Sequence, residues 1–271
     1  MNTLTYIDVR HDNNVVYAHL DRPQKANALN HELWFEIEAL ANWVNETPSV
    51  RVLVLSGNGR HFCAGIDFEL IQQLHSEYNT LSEGNRQERL YNRIRGLQGA
   101  FSALEKCVKP VIAAINGLCI GAGVDLITAC DMRYCIESAV FSIKEIDLAI
   151  VADIGTIQRL PLIVGQGQAR ELTYTGREFD SEEAARIGLV NRVFKDKESL
   201  DREVSIIAEN IASKSPLAVR NTKKTFNYSR DHSVEEGLQY VATLNAGILF
   251  SSDTTEALSA FMQKRSPTFS D

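Results

Sequence analysis

Apolar and polar positions along the chain follow two rhythms, one suited to short strands and one to helices. Residues 4–9 and 15–20 are apolar-rich runs separated by His11, Asp12, Asn13 and Asn14. Asn and Asp tolerate tight-turn geometry, so this break predicts a β-hairpin. Leu33, Ile37, Leu40 and Val44 then recur at helical spacing behind Asn30, a residue suited to capping a helix. Residues 50–55, VRVLVL, predict a buried strand. Between about 69 and 108, Leu70, Leu74, Leu90, Ile94, Leu97, Phe101 and Leu104 form helical stripes. A break is expected near Gly84 and the polar SEGNRQER segment. Residues 111–115 predict the next strand, Asn116-Gly117 a turn, and Gly121-Ala122-Gly123 the opening of a helix. Short strands are predicted after Asp131 and over 139–143. Gly165 and Gly167 mark a turn, Ser181 is the expected cap of the SEEAARIG helix, and 189–194 is the last predicted strand. Four helices are expected beyond that. The alternation predicts an α/β core over residues 1–198 and a helical region over 199–271.

Composition narrows the chemistry. The 44% apolar and 23% charged fractions are those of a globular protein, so a core is expected rather than a disordered chain. A net charge of −7 argues against a general nucleic-acid surface, although a local basic patch could still hold an anionic ligand. The five cysteines, Cys63, Cys107, Cys119, Cys130 and Cys135, sit mainly in apolar runs and predict buried free thiols in a reducing compartment. The six histidines form no HxH or HxxxH pair, so no metal is expected. No apolar run reaches the ~20 residues of a membrane span. No leader is legible at the start, and PTFSD at the end is not a peroxisomal tripeptide, so the expected location is cytoplasmic.

The segment from Val111 to Pro161 carries the chemistry. It holds three acids, Asp125, Glu145 and Asp153, each beside apolar residues. Burying an unpaired carboxylate is costly, so such placement calls for a reason. Three acids near a glycine-rich helix start suggest proton transfer beside an anion-stabilising pocket. Each acid also has a plainer reading. Asp125 could form a salt bridge within its helix, Glu145 could pair with a base elsewhere, and Asp153 could cap a helix starting at Ile154. Asp147 is read as structural.

Several motifs together carry a resemblance: DRPQKANALN (21–30), GRHFCAGIDF (59–68), AAINGLCIGAGVDLITACDMRY (113–134), FSIKEIDLAIVADIGTIQRLP (141–161) and EEAARIGLVNRVF (182–194). In this order and spacing the chain resembles the crotonase, or enoyl-CoA hydratase/isomerase, superfamily over nearly its whole length. The resemblance implies a spiral of ββα units followed by helices that mediate trimer formation, as a homotrimer or a dimer of trimers. It implies an acyl-CoA substrate and an oxyanion hole made by the backbone N–H groups of Ile66 and Ala122. Many relatives have Gly at the second position; only the N–H is used, so the methyl of Ala122 narrows the pocket without removing the donor. The CoA moiety is expected at Lys25, the backbone of Ala64, Gly65, Ile66, Asp67 and Phe68, and Lys264, with Arg22 and Arg265 as further candidates. No metal and no nicotinamide cofactor are implied, and no GxGxxG follows the first strand.

The acid set resembles that of the family's isomerases that convert 3,5-dienoyl-CoA to 2,4-dienoyl-CoA in fatty acid β-oxidation. That shift takes a proton from carbon 2 and delivers one at carbon 6, which are too far apart for one carboxylate in an extended chain. One charged base and one protonated acid are the simplest solution. Glu145 is expected at carbon 2 and Asp153 at carbon 6, with the reverse order open. Asp125 would tune the pair, because like charges raise a carboxyl pKa. The alternative is 2-enoyl-CoA hydratase. Its pattern has Glu at the position of Asp125, and hydratase relatives commonly have Gly at that of Asp153.

Overall fold

The computed structural model describes residues 4–270; the N-terminal three residues and Asp271, the last residue of PTFSD, lie outside them. Strand β1 (Ile7–Asp12) and strand β2 (Val15–Leu20) form the predicted hairpin, with the turn confined to Asn13 and Asn14. Asn13 takes the left-handed conformation (φ 52°) that lets so short a turn close. Helix α1 (His31–Glu46) starts where expected, the Asn30 side chain accepting from Leu33 N–H. Strand β3 (Val52–Gly57) follows.

The long helical stretch is two helices, α2 (Phe68–Tyr78) and α3 (Glu83–Lys106). The break therefore falls before Gly84, which lies in the first turn of α3. A second departure follows strand β4 (Val111–Ile115), where Leu118–Ile120 forms a strand, β5, that three residues between glycines did not reveal. Helix α4 (Ala122–Thr128), strands β6 (Met132–Ile136) and β7 (Val140–Ser142), and helices α5 (Thr156–Val164) and α6 (Gln166–Thr175) complete the central segment. Strand β8 (Phe179–Asp180) leads into α7 (Ser181–Arg186). The cap of α7 is Asp180, which accepts from Glu183 N–H, whereas Ser181 donates to Glu137 O instead. Strand β9 (Arg192–Phe194) and helices α8 (Lys197–Ala212), α9 (Pro216–Arg230), α10 (Val234–Ile248) and α11 (Ser252–Gln263) follow.

The main sheet has the order β1-β2-β3-β4-β6-β9, parallel except for the β1–β2 hairpin. A second sheet, β5-β7-β8, lies beside it. Every residue of β3 and β4 is buried, as expected for parallel strands covered on both faces. Trp34 of α1 stacks on Phe101 of α3 at 5.0 Å and donates to Leu97 O, so one side chain joins both helices without leaving its indole N–H unpaired. Helix α8 packs on β2, β3, β4, β6 and β9, and the expected boundary at 198/199 falls within its first turn. Helix α9 is tied to the core by buried Lys223, which donates to Asp131 (2.7 Å) and Lys109 O (3.0 Å). All five cysteines are buried and free, and burial pushes the Cys63 and Cys130 thiols up to about 12.

Candidate active site

Two backbone segments meet at the mouth of α4. Cys63 N–H donates to Leu118 O (3.0 Å) and Ile120 N–H donates to Cys63 O (2.9 Å), so the 62–65 loop runs along β5 as an extra strand. Gly65, at φ +93°, then turns toward α4; a Cβ there would lie 3.0 Å from Ile120 O and 3.6 Å from Ala122 N. The absence of a side chain thus lets the Ile66 and Ala122 backbones converge. Ala122 is the first residue of α4, and neither its N–H nor that of Ile66 has an acceptor among the described residues. Two N–H groups thus stand without an acceptor side by side at the start of a helix, an arrangement suited to an anion.

The three acids line one cavity of about 370 Å³ together with Ile66 and Ala122. Apolar side chains of α2 and α3, among them Ile71, Leu74, Leu90 and Ile94, close it on the other side. None of the acids takes its plainer role. Among the described residues, buried Asp125 makes no salt bridge. Its Oδ1 accepts from Thr156 N–H at 2.6 Å, and its Oδ2 has no partner. It therefore caps α5, the duty that Asp153 was a candidate for. Burial, reinforced by Asp153 and opposed by the Thr156 hydrogen bond, raises Asp125 to about 6. Glu145 lies on a 3₁₀ turn (Lys144–Leu148) after β7 and has no basic partner among the described residues. Burial, then the neighbouring charge of Asp125, raises it to about 7. Its Oε1 would be 3.2 Å from a Cβ on Gly121, so that glycine makes room for it. Asp153, on the loop before α5, is also raised, chiefly by burial. Asp147 forms an ion pair with Lys144 (3.0 Å) and stays out of the cavity.

The supports of Asp153 had no signal in the sequence. Gln98 of α3 donates to Asp153 O at 2.6 Å. Arg159 of α5 reaches Glu105 (3.0 Å) and Ser102 (3.2 Å), both on α3. Gly155 takes φ +137°, and a Cβ there would lie 1.8 Å from Arg159 Nη1. The loop is thereby clamped to α3 from two sides.

Two free N–H groups and unpaired acids in one apolar cavity narrow the comparison with known proteins. The family model for enoyl-CoA hydratase/isomerase matches residues 10–271. The chain belongs to that family. It is 49% identical to the peroxisomal Δ(3,5)-Δ(2,4)-dienoyl-CoA isomerase of Arabidopsis thaliana, over 98% of this chain and 96% of that one. It is 43% identical to the mitochondrial Δ(3,5)-Δ(2,4)-dienoyl-CoA isomerase of Mus musculus, over 93% of this chain and 77% of that one. The crystal structure of enoyl-CoA hydratase from Bacillus anthracis superposes with a TM-score of 0.89 at 34% identity, covering 98% and 99% of the two chains. The crotonase fold expected from the resemblance is thus the fold observed. The names of the two isomerases place them in peroxisome and mitochondrion and lend no support to a cytoplasmic location. Among the described residues no helix is long and apolar enough to cross a membrane.

Within this family frame the expected CoA contacts separate into two groups. Arg22 is not a surface charge: it is buried, pairs with Asp67 at 2.9 Å and donates to Ala28 O. Asp67 also caps α2 through Glu69 N–H, while the N–H groups of Ala64 and Asp67 donate to Ala26 O and Leu29 O, and Gly65 O accepts from Leu29 N–H. These groups shape the loop, and the contacts still open there are those of Ile66 and the exposed Phe68. Lys25 is exposed beside Glu69 (2.8 Å). Lys264 ends α11 and does not line the cavity, and Arg265 pairs with Glu256.

Proposed function

We propose that the protein is an isomerase that converts 3,5-dienoyl-CoA to 2,4-dienoyl-CoA by proton removal at carbon 2 and proton delivery at carbon 6. The observation that carries this reading is a second unpaired acid, Asp153, in the same cavity as Glu145 and the two free N–H groups. The thioester oxygen is bound by Ile66 and Ala122 N–H. Each such donor is worth roughly 3–4 kcal/mol of barrier when aimed at a developing oxyanion. Glu145 lies against Gly121, the residue before the Ala122 donor. That neighbourhood favours Glu145 for carbon 2, one bond from the carbonyl carbon. The C2–H pair becomes the C1–C2 double bond of the enolate, and its charge spreads to carbon 6. There the pair takes a proton from Asp153, leaving conjugated double bonds at 2 and 4. With Glu145 near 7, a charged fraction exists around neutrality, as a base needs, and the burial that raises Asp153 favours its protonated form, as an acid needs. The step is redox-neutral and requires no cofactor.

Lys25, Phe68 and, from a neighbouring copy, Lys264 are proposed to meet the CoA. Assembly as a homotrimer or dimer of trimers is supported by apolar side chains left bare in the C-terminal region, on α11 and in the turn between α10 and α11. Phe250 is 92% exposed and Phe261 84%. A cytoplasmic location is proposed on the free buried thiols, which fit a reducing compartment.

The test is a spectrophotometric assay with 3,5-octadienoyl-CoA beside crotonyl-CoA. Rising conjugated absorbance with the first, reduced by about 10²–10⁴ in Asp153→Asn, is expected. Full activity in that variant, or faster hydration of crotonyl-CoA than isomerisation, would favour the hydratase instead.

A further inference from the structure

The isomerisation leaves the acids in the wrong state for the next cycle. Glu145 has gained a proton and Asp153 has lost one. No hydrogen bond joins the carboxyl groups of Glu145, Asp125 and Asp153, and Glu145 Oε2 has no partner at all. A direct relay back to Asp153 is therefore missing among the described residues.

Behind Asp153 lies a second cavity of about 400 Å³ that the mechanism has not used. It is polar, lined by Gln98, Ser102, Glu105 and Arg159, and its rim includes exposed Arg95 and Lys106. Asp153 and Ile154 line this cavity and the acyl cavity alike, so they form the wall between the two. Resting on the isomerase reading, we infer that this cleft is a water-filled port through which Asp153 recovers its proton from solvent while the acyl cavity is occupied or emptying. In the reset an O–H bond of water breaks and the O–H bond of Asp153 forms. Glu145 releases its proton when product leaves, so protons balance over the cycle and no electrons are exchanged. The port thus makes the hydrogen at carbon 6 a solvent hydrogen, distinct from the one taken at carbon 2.

Gly99 offers a way to close the port. It lines the cleft from α3, and a Cβ built there meets nothing within 4 Å. Gly99→Leu would fill the space while replacing a residue that weakens a helix. Gly96, on the same helix, also has free space but does not line the cleft, so Gly96→Leu is the control. The experiment follows 3,5-octadienoyl-CoA with the full-length protein in D2O, by rapid mixing and in steady state. The wild type is expected to place one deuterium at carbon 6 per turnover. In Gly99→Leu the first turnover should keep its rate while the steady state falls about tenfold, a split that burst kinetics resolve. Gly96→Leu should match the wild type. Gly99→Ala and Gly99→Met fill the cleft in steps and should grade the effect, which keeps the test open if Leu is not tolerated. Transfer of a carbon-2 deuterium label to carbon 6 in H2O, or an unchanged steady state in all three Gly99 variants, would overturn the port. So would equal loss in the first and later turnovers. A wild type that gives no conjugated product would overturn the isomerase reading, and the port with it.

Discussion

Glu145→Gln tests the cost of holding an unpaired acid in the active site. In the folded protein burial and Asp125 raise Glu145 from 4.5 to about 7. A raised carboxyl pKa means that folding favours the protonated form. Its stabilising contribution is complete below about pH 4.5 and is lost as pH rises through about 7. At 1.36 kcal/mol per tenfold change in proton affinity, the loss is at most about 3 kcal/mol, because Glu145 is only part-buried. Gln has nearly the same shape and never ionises. Its amide lacks a partner much as the protonated acid does, so the pH dependence is more diagnostic than the absolute value. Urea unfolding of both proteins at pH 4, 6 and 9, at one protomer concentration, measures it. The stability of Glu145→Gln relative to wild type should rise by up to about 3 kcal/mol from pH 4 to 9, while isomerase activity falls by about 10²–10⁴. Parallel stability curves for the two proteins would refute the reasoning.

Three further outcomes are expected. The kcat/KM of the wild type should be bell-shaped in pH, because Glu145 must have lost its proton to act as base while Asp153 must still hold one to act as acid; a pH–rate profile reads this directly, and a flat profile would contradict the pairing. Gly65→Ala, at φ +93° and 3.0 Å from Ile120 O, should displace the Ile66 donor and lower kcat by about 10²–10³, seen in the octadienoyl assay beside a melting curve. Phe250→Glu, in the turn between α10 and α11, should weaken the proposed assembly, and sedimentation velocity should show smaller species than the wild type.

The elements most legible in the sequence were those whose cause is local. Helix α1 announces itself by its cap and its apolar period, and β3 and β4 by unbroken apolar runs buried on both faces. The misread places lack such a cause. Strand β5 has only three residues, and its partners, β7 on one side and Cys63 on the other, lie elsewhere in the chain. At α7, Asp180 and Ser181 are both good caps, and Ser181 is drawn off by Glu137 O. The three acids were conspicuous because of their apolar neighbours, while Ile66 and Ala122 came into view only through the family resemblance. The supports of the acids were not conspicuous: Gln98 lies 55 residues from Asp153, and nothing in its helix singles it out. Arg22, a candidate for the CoA, is instead held inside by Asp67, a partner 45 residues away that its own loop does not reveal.

The two working acids are mounted on different supports. Glu145 rides on a turn continuous with the small sheet, next to Gly121 and the unpaired Ala122 N–H. Asp153 rides on a loop fastened to α3 by Gln98 and Arg159. On the proposed mechanism the site is therefore modular, with an activating half that recognises what all acyl-CoA esters share and a delivering half that sets how far along the chain the proton lands. Remodelling the 150–155 loop and its two fasteners offers a route to moving the delivery point to another carbon while the activating half stays as it is.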